Sequence, residues 1–204
     1  MSARAEILAR IRTALGETRE PVAVPRDYHR DAGDIDVVAL FQERAADYRA
    51  VVRRVAEVEL PAAISDALRT AKARAVVVPP DLPAAWVSEV EGETRRDEPA
   101  LSVADLDSVD AVLTGCAVAI AETGTVILDA GPGQGRRALT LVPDVHLCVV
   151  RAAQIVGTVP QAVEAVDGAR PLTWISGPSA TSDIELHRVE GVHGPRNLVI
   201  LIAE

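Results

Sequence analysis

The chain has 204 residues, with 30 acidic and 21 basic side chains and a formal charge of -9. That balance excludes a general nucleic-acid binder, which needs clustered positive charge, because the only adjacent basic pairs are Arg53-Arg54, Arg95-Arg96 and Arg136-Arg137. A hydrophobic content of 49% with only 2% aromatic residues excludes overall disorder and predicts a core of Val, Ile, Leu and Ala, which suits a sheet buried on both faces.

Along the chain, Ala5, Leu8, Ala9, Ile11 and Leu15 recur near helical period between Ser2 and Gly16, which predicts a short helix over 3–15. The stretch to Gly33 carries Pro21 and Pro25 and reads as a linker, so the main domain is expected to span residues 34–204 and the appendage residues 1–33. Asp34 or Asp36 is placed to cap a long helix running from Val37 to Val55. Beyond it the pattern predicts a helix at 61–72, a strand at 75–78, an irregular acidic region near 90–100 and a short helix at 103–108. Strands follow at 111–114, 118–121 and 126–128, the last two joined by a Glu122-Thr123-Gly124 turn. A strand at 146–150, a helix at 159–166, a buried strand at 172–176 and a final strand at 198–202 complete the series. This alternation predicts an α/β sandwich around a mostly parallel sheet, with function in the loops beyond the carboxyl ends of the strands.

Four loops carry residues of chemical interest. Glu122 stands in the hairpin turn, either as an ordinary turn residue or as a carboxylate nucleophile or base. Gly131-Pro132-Gly133-Gln134-Gly135-Arg136-Arg137 offers backbone N–H groups and two guanidinium forks to an anion, or is a flexible surface loop. It lacks the Gly-x-Gly-x-x-Gly spacing of a dinucleotide site. Ser179, Thr181, Asp183 and Glu185 crowd the stretch after Gly177-Pro178, beyond what helix capping requires. His193, between two glycines and before Pro195, is a loop residue with proton-transfer chemistry, whereas His146 reads as a structural histidine at a strand start. Two cysteines, Cys116 and Cys148, lie far apart without a Cys-x-x-Cys pair and cannot supply the four thiolates of an iron–sulfur cluster or a structural zinc site. No metal site and no cofactor are expected. No apolar run reaches the roughly 18 residues of a membrane span, and residues 1–16 carry charges where a signal peptide would be apolar, so a cytoplasmic location is expected.

Taken in order, Ala119-Ile120-Ala121-Glu122-Thr123-Gly124-Thr125, then Ser179 to Glu185, then Gly191-Val192-His193-Gly194-Pro195, strongly resemble the motifs of the lactate-utilisation protein C family. The resemblance covers the chain from about Val37 to Glu204 and implies a LUD domain. It implies a three-layer fold similar to that of ribose-5-phosphate isomerase, glucosamine-6-phosphate deaminase and the CoA transferases. It also implies a non-redox role beside iron–sulfur partner proteins in oxidising L-lactate to pyruvate. The alternatives are an independent enzyme like the CoA transferases or sugar-phosphate isomerases of that fold, or a ligand-sensing module. On this reading the expected catalytic groups are Glu122, Asp183 and His193. A small carboxylate would be held by Thr123, Gly124, Gly133, Gly135, Arg136, Arg137, Ser179, Thr181 and Glu185, and Glu122, Ser179, Thr181, Asp183 and His193 are expected to converge on one cleft.

Overall fold

A computed structural model describes residues 2–16, 23–30, 32–181, 189–191 and 193–204. Six parallel strands form the main sheet: β1 (Val51–Val55), β2 (Ala75–Val78), β3 (Glu93–Arg96), β4 (Ala111–Thr114), β7 (Val145–Arg151) and β12 (Asn197–Ala203), in the order β1-β12-β7-β4-β2-β3. A second, four-stranded sheet of β5 (Val118–Ile120), β6 (Thr125–Leu128), β8 (Ile155–Val156) and β9 (Thr173–Ile175) has the order β8-β5-β6-β9, and β10 (Ala180–Thr181) pairs with β11 (Val189–Glu190) as a separate ribbon. The inner strands β2, β4, β7 and β12 are buried on both faces, as their Val, Ile and Leu runs require, whereas the edge strands β1 and β3 carry arginines and are largely exposed. On one face α3 (Leu60–Thr70) packs Leu60, Ile64 and Leu68 against Val76, Val78, Leu113, Leu147 and Leu201. On the other, α2 (Val37–Asp47) brings Phe41 and Ala45 onto Cys148, Val150, Ile200 and Ile202, together with the inner face of the four-stranded sheet. The short helix α4 (Val103–Asp107), capped by Ser102, precedes β4, and the outer face of the second sheet is covered by α5 (Val159–Ala165) through Ala162 on Ile120 and Ile127.

Several local expectations differ from what the chain does. The helix beginning at Asp36 stops at Asp47 instead of running to Val55. Arg49 takes a left-handed φ of 69°, the chain reverses, and the β-branched Val51, Val52 and Val55 pair along β12 as strand β1. The acidic stretch near 90–100 contains β3, which pairs Thr94 and Arg95 with Val76 and Val77 at the sheet edge. The strand at 173–175 is an edge strand with Trp174 42% exposed, not a buried one.

Helix α1 (Ala3–Leu15) forms as its spacing predicts, with Ser2 Oγ accepting from Ala5 N–H, and none of its residues is buried. The linker touches the domain at α5, where Arg30 pairs with Glu164 and Ala32 lies against Gly157. An exposed ion pair of this kind contributes at most about 1 kcal/mol. Deleting residues 1–33 is therefore expected to leave a cooperative thermal melt within a few degrees of the full chain; loss of the transition would show that α1 is integral to the fold.

Candidate functional site

The glycine loop is organised from within. Gln134 is buried and accepts from Asp129 N–H at 2.7 Å while donating to Asp129 Oδ1 at 2.8 Å, and Arg170 closes the same carboxylate at 2.7 Å. Gly133, at φ 69°, presents its carbonyl to Gly115 N–H at 2.8 Å, which roofs the carboxyl end of β4, and Gly135 fits against Leu139 and Pro79 where a Cβ would meet Leu139 at 2.6 Å. Arg136 forks onto Asp97 at 2.7 and 3.0 Å and donates to Leu101 O at 2.6 Å. Burial pushes the Asp97 carboxyl up, and the Arg136 guanidinium with the Leu101 N–H more than offsets it, leaving Asp97 below the ordinary carboxylate range. Arg136 is thereby committed to the fold. Arg137, by contrast, has no ion pair or side-chain hydrogen bond among the described residues.

The hairpin between β5 and β6 has its own internal duties. Glu122 is exposed and its Oε1 accepts from Val159 N–H at 2.8 Å, satisfying an amide at the start of α5. Gly124, at φ 60°, approaches the backbone of α2 so closely that a Cβ would lie 2.5 Å from Ala45 N. Thr123 Oγ1 and Thr125 Oγ1 are 2.7 Å apart, and Thr125 Oγ1 meets Ser176 Oγ at 2.8 Å. This hydroxyl chain leads from the hairpin to a cavity of about 330 Å³. Glu122→Ala should cost about 1 kcal/mol through loss of the cap, read as a small drop in melting temperature; a melt unchanged within error would show that the Glu122–Val159 bond carries no stability.

The cavity brings together Arg137, His146, Ser176, Ser179 and His193, with Trp174 on one side. Ser179 orders the loop behind it: its hydroxyl accepts from His193 N–H at 2.9 Å, its amide donates to Pro195 O at 2.9 Å and its carbonyl accepts from Gly191 N–H at 2.9 Å. His146, 1% exposed, is joined to Thr114 Oγ1 through Nε2 at 2.8 Å. His146 and Leu198 are the second residues of β7 and β12, so the cavity opens at the amino ends of these strands. The cavity thus lies at the opposite end of these strands from the carboxyl ends, where function is expected from the sequence and where the glycine loop roofs β4.

A sequence model of the LUD domain matches residues 38–203. The chain belongs to the LUD-domain family. This LUD domain is similar to "Lactate utilization protein C" of Deinococcus radiodurans, 51% identical over 98% of the chain and 95% of that relative. It is also similar to "Lactate utilization protein C" of Halalkalibacterium halodurans, 32% identical over 48% of the chain and 46% of that relative. Among solved structures, the crystal structure of a DUF162 family protein from Deinococcus radiodurans superimposes with a TM-score of 0.72 at 50% identity, covering 83% of this chain and 97% of that one.

Of the residues singled out in the LUD sequence, the cavity takes Arg137, Ser179 and His193, and Thr123 reaches it through Thr125 and Ser176. Glu122, Gly124, Gly133, Gly135 and Arg136 are engaged at α5, at α2, over β4, against Leu139 and on Asp97 respectively. Thr181 lies in β10, and Asp183 and Glu185 fall outside the described residues. Motif reading gave no role to Thr114, Ser176 and Trp174 and read His146 as structural; Ser176, Trp174 and His146 line the cavity, and Thr114 holds His146. One signal was present: Thr114 and His146 are polar residues in strands that are otherwise apolar and buried, apart from Arg151 at the end of β7.

Cys116 and Cys148, distant in sequence, adjoin in the LUD core. The β4–β7 register sets Cys148 beside Thr114, and Cys148 Sγ lies 3.8 Å from Gly115 O. The hydrogen bond from Cys116 pulls the Cys148 thiol down to about 5 against desolvation, helped by His146 and Thr114, and the same contact with burial pushes Cys116 well above its ordinary value. Among the described residues no group of three or more His, Cys, Asp and Glu is arranged to hold a metal ion, and no helix is long and apolar enough to cross a membrane.

Proposed function

We propose that this LUD-domain chain acts in lactate utilisation as a component that itself carries no electrons, working with iron–sulfur partner proteins in the oxidation of L-lactate to pyruvate. The observation that supports the lactate-utilisation part of the reading is the near-full-length likeness to the Deinococcus protein named "Lactate utilization protein C". Removing two electrons and two protons from lactate requires an acceptor. The chain's two cysteines fall short of a cluster's four thiolates, and its glycine loop does not have dinucleotide spacing, so the partners take the electrons. The chain contributes the cavity. Arg137 supplies a fixed positive charge, and His193 and His146 supply imidazoles able to hold or pass a proton.

The test is genetic and biochemical together. Deleting the gene should abolish growth on L-lactate while growth on glucose continues, and the wild-type chain should restore it. His193→Ala and Arg137→Ala should fail to restore growth although both fold, whereas Glu122→Ala should restore it. The tagged chain should bring down iron–sulfur proteins from lactate-grown cells. Undiminished growth of the deletion strain, NAD reduction by the isolated chain with lactate, or CoA-transfer or sugar-phosphate isomerase activity would each overturn the assignment.

A further inference from the structure

We infer that the cavity at the amino ends of β7 and β12 binds a short 2-hydroxy or 2-oxo monocarboxylate, its carboxylate on Arg137 and its second oxygen on the open ring nitrogen of His146. The choice of a 2-oxygenated acid rests on the lactate-utilisation reading; the anion site and its polar floor rest on geometry alone.

The floor is decisive. His146 is 1% exposed and bonds Thr114 through Nε2; the Cys148 thiol lies beside the ring, and among the described residues no hydrogen bond is made by Nδ1. Thr158 Oγ1 is the only fully enclosed side-chain N or O atom left unpaired among those residues. Nδ1 of His146 is therefore not sealed in the core: it is reached from the cavity that the ring lines. A buried nitrogen left without a partner costs about 1–3 kcal/mol, so something polar, water or ligand, meets it there. Either ring tautomer serves a 2-hydroxy acid, whose hydroxyl both donates and accepts; a 2-oxo acid needs the tautomer with a proton on Nδ1.

The charge on the wall is equally specific. In a chain with formal charge -9, the described residues lining the cavity include one arginine and two histidines and no aspartate or glutamate. Arg137 is the member of the Arg136-Arg137 pair that the fold leaves unpaired, and a guanidinium fork matches a carboxylate in two hydrogen bonds. Trp174 and Leu198 give the apolar side against which an alkyl tail can lie. At roughly 30 Å³ per water, about 330 Å³ is the space of some eleven waters, more than a three-carbon acid fills. The site should accordingly accept 2-hydroxy acids with a longer apolar tail at least as well as lactate.

Calorimetric titration of the purified full chain tests this with L-lactate, pyruvate, 2-hydroxybutyrate, propionate and inorganic phosphate. For ligands of about six to seven heavy atoms, dissociation constants near 0.1–1 mM are expected for the 2-oxygenated acids. Propionate, which lacks the second oxygen, should bind about tenfold more weakly or worse. Arg137→Ala should lose the binding with an unchanged melt. His146→Gln should flatten the difference between lactate and propionate; because that buried substitution risks unfolding, propionate against wild type provides the same comparison without a variant. Equal binding of propionate and lactate overturns the His146 contact, and binding of phosphate in preference to the acids overturns the ligand class. Absence of all binding overturns the site. Growth complementation on lactate is a separate measurement, so a failed titration with intact complementation refutes this inference and spares the functional reading.

Discussion

Gly124→Ala should lower the melting temperature by roughly 6–12 °C, corresponding to about 3 kcal/mol for a chain of this size. Two costs add. An alanine at φ 60° sits in the left-handed region, which costs a non-glycine residue about 1–2 kcal/mol. Its Cβ would also lie 2.5 Å from both Arg44 C and Ala45 N, backbone atoms that cannot rotate away, so α2 or the hairpin must shift. Phe41 and Ala45 of α2 are fully buried, and any shift disturbs the core they fill. Thermal melts of the two proteins decide the matter: a variant melting within about 2 °C of wild type would refute the close approach. Loss of function in this variant would then report on folding, although Gly124 belongs to a motif that invites a ligand-binding interpretation.

Arg136→Ala should cost about 2–3 kcal/mol, somewhat less than the 3–5 of a fully buried pair because the arginine side chain is 39% exposed. The loss comes from Asp97, whose carboxylate is 5% exposed and would keep only the Leu101 N–H. Adding Asp97→Asn to the variant should recover part of it, since the neutral amide is cheaper to leave in place. The pH dependence has a definite sign. A carboxyl held below its unfolded value contributes stability above the unfolded range, near pH 4, and loses it as pH falls through the folded value. The gap between wild type and Arg136→Ala, followed by denaturant unfolding, should therefore be full at neutral pH and shrink below about pH 4. A gap that widens in acid would mean that the pair does not hold Asp97 ionised.

These two residues also show where sequence reasoning reaches its limit. Apolar runs such as Ala111–Thr114 and Asn197–Ala203 announce buried strands because no other environment accepts them. The partner of Glu122 is 37 residues away and that of Arg136 is 39 residues away, so nothing local distinguishes a capping carboxylate from a catalytic one, or the ion-paired Arg136 from its neighbour Arg137. His146 is a further case: as a lone polar residue in an apolar strand it reads as structural, and it is buried on Thr114 as that reading expects, but only the parallel register of β4 and β7 shows which partner it takes and that its ring also lines the cavity. Val51–Val55 continued a helical pattern well enough to pass for α2, and its strand identity depends on pairing with β12 near the other end of the chain.

That last pairing has a kinetic consequence. Strand β12 lies between β1 and β7, and Arg54 meets Glu204 across a separation of 150 residues. During synthesis β1 emerges first of the strands and waits for β12, its one neighbour among the described residues, until residue 203 has left the ribosome, while β7 keeps one flank open. Parallel pairings over such separations form slowly, and unpaired apolar edges are templates for wrong association in the interval. Nascent chains halted before residue 197 should stay sensitive to protease throughout β1 and α2, and protection should arise in one step once β12 is released; gradual protection from the amino end would show that the sheet assembles without β12.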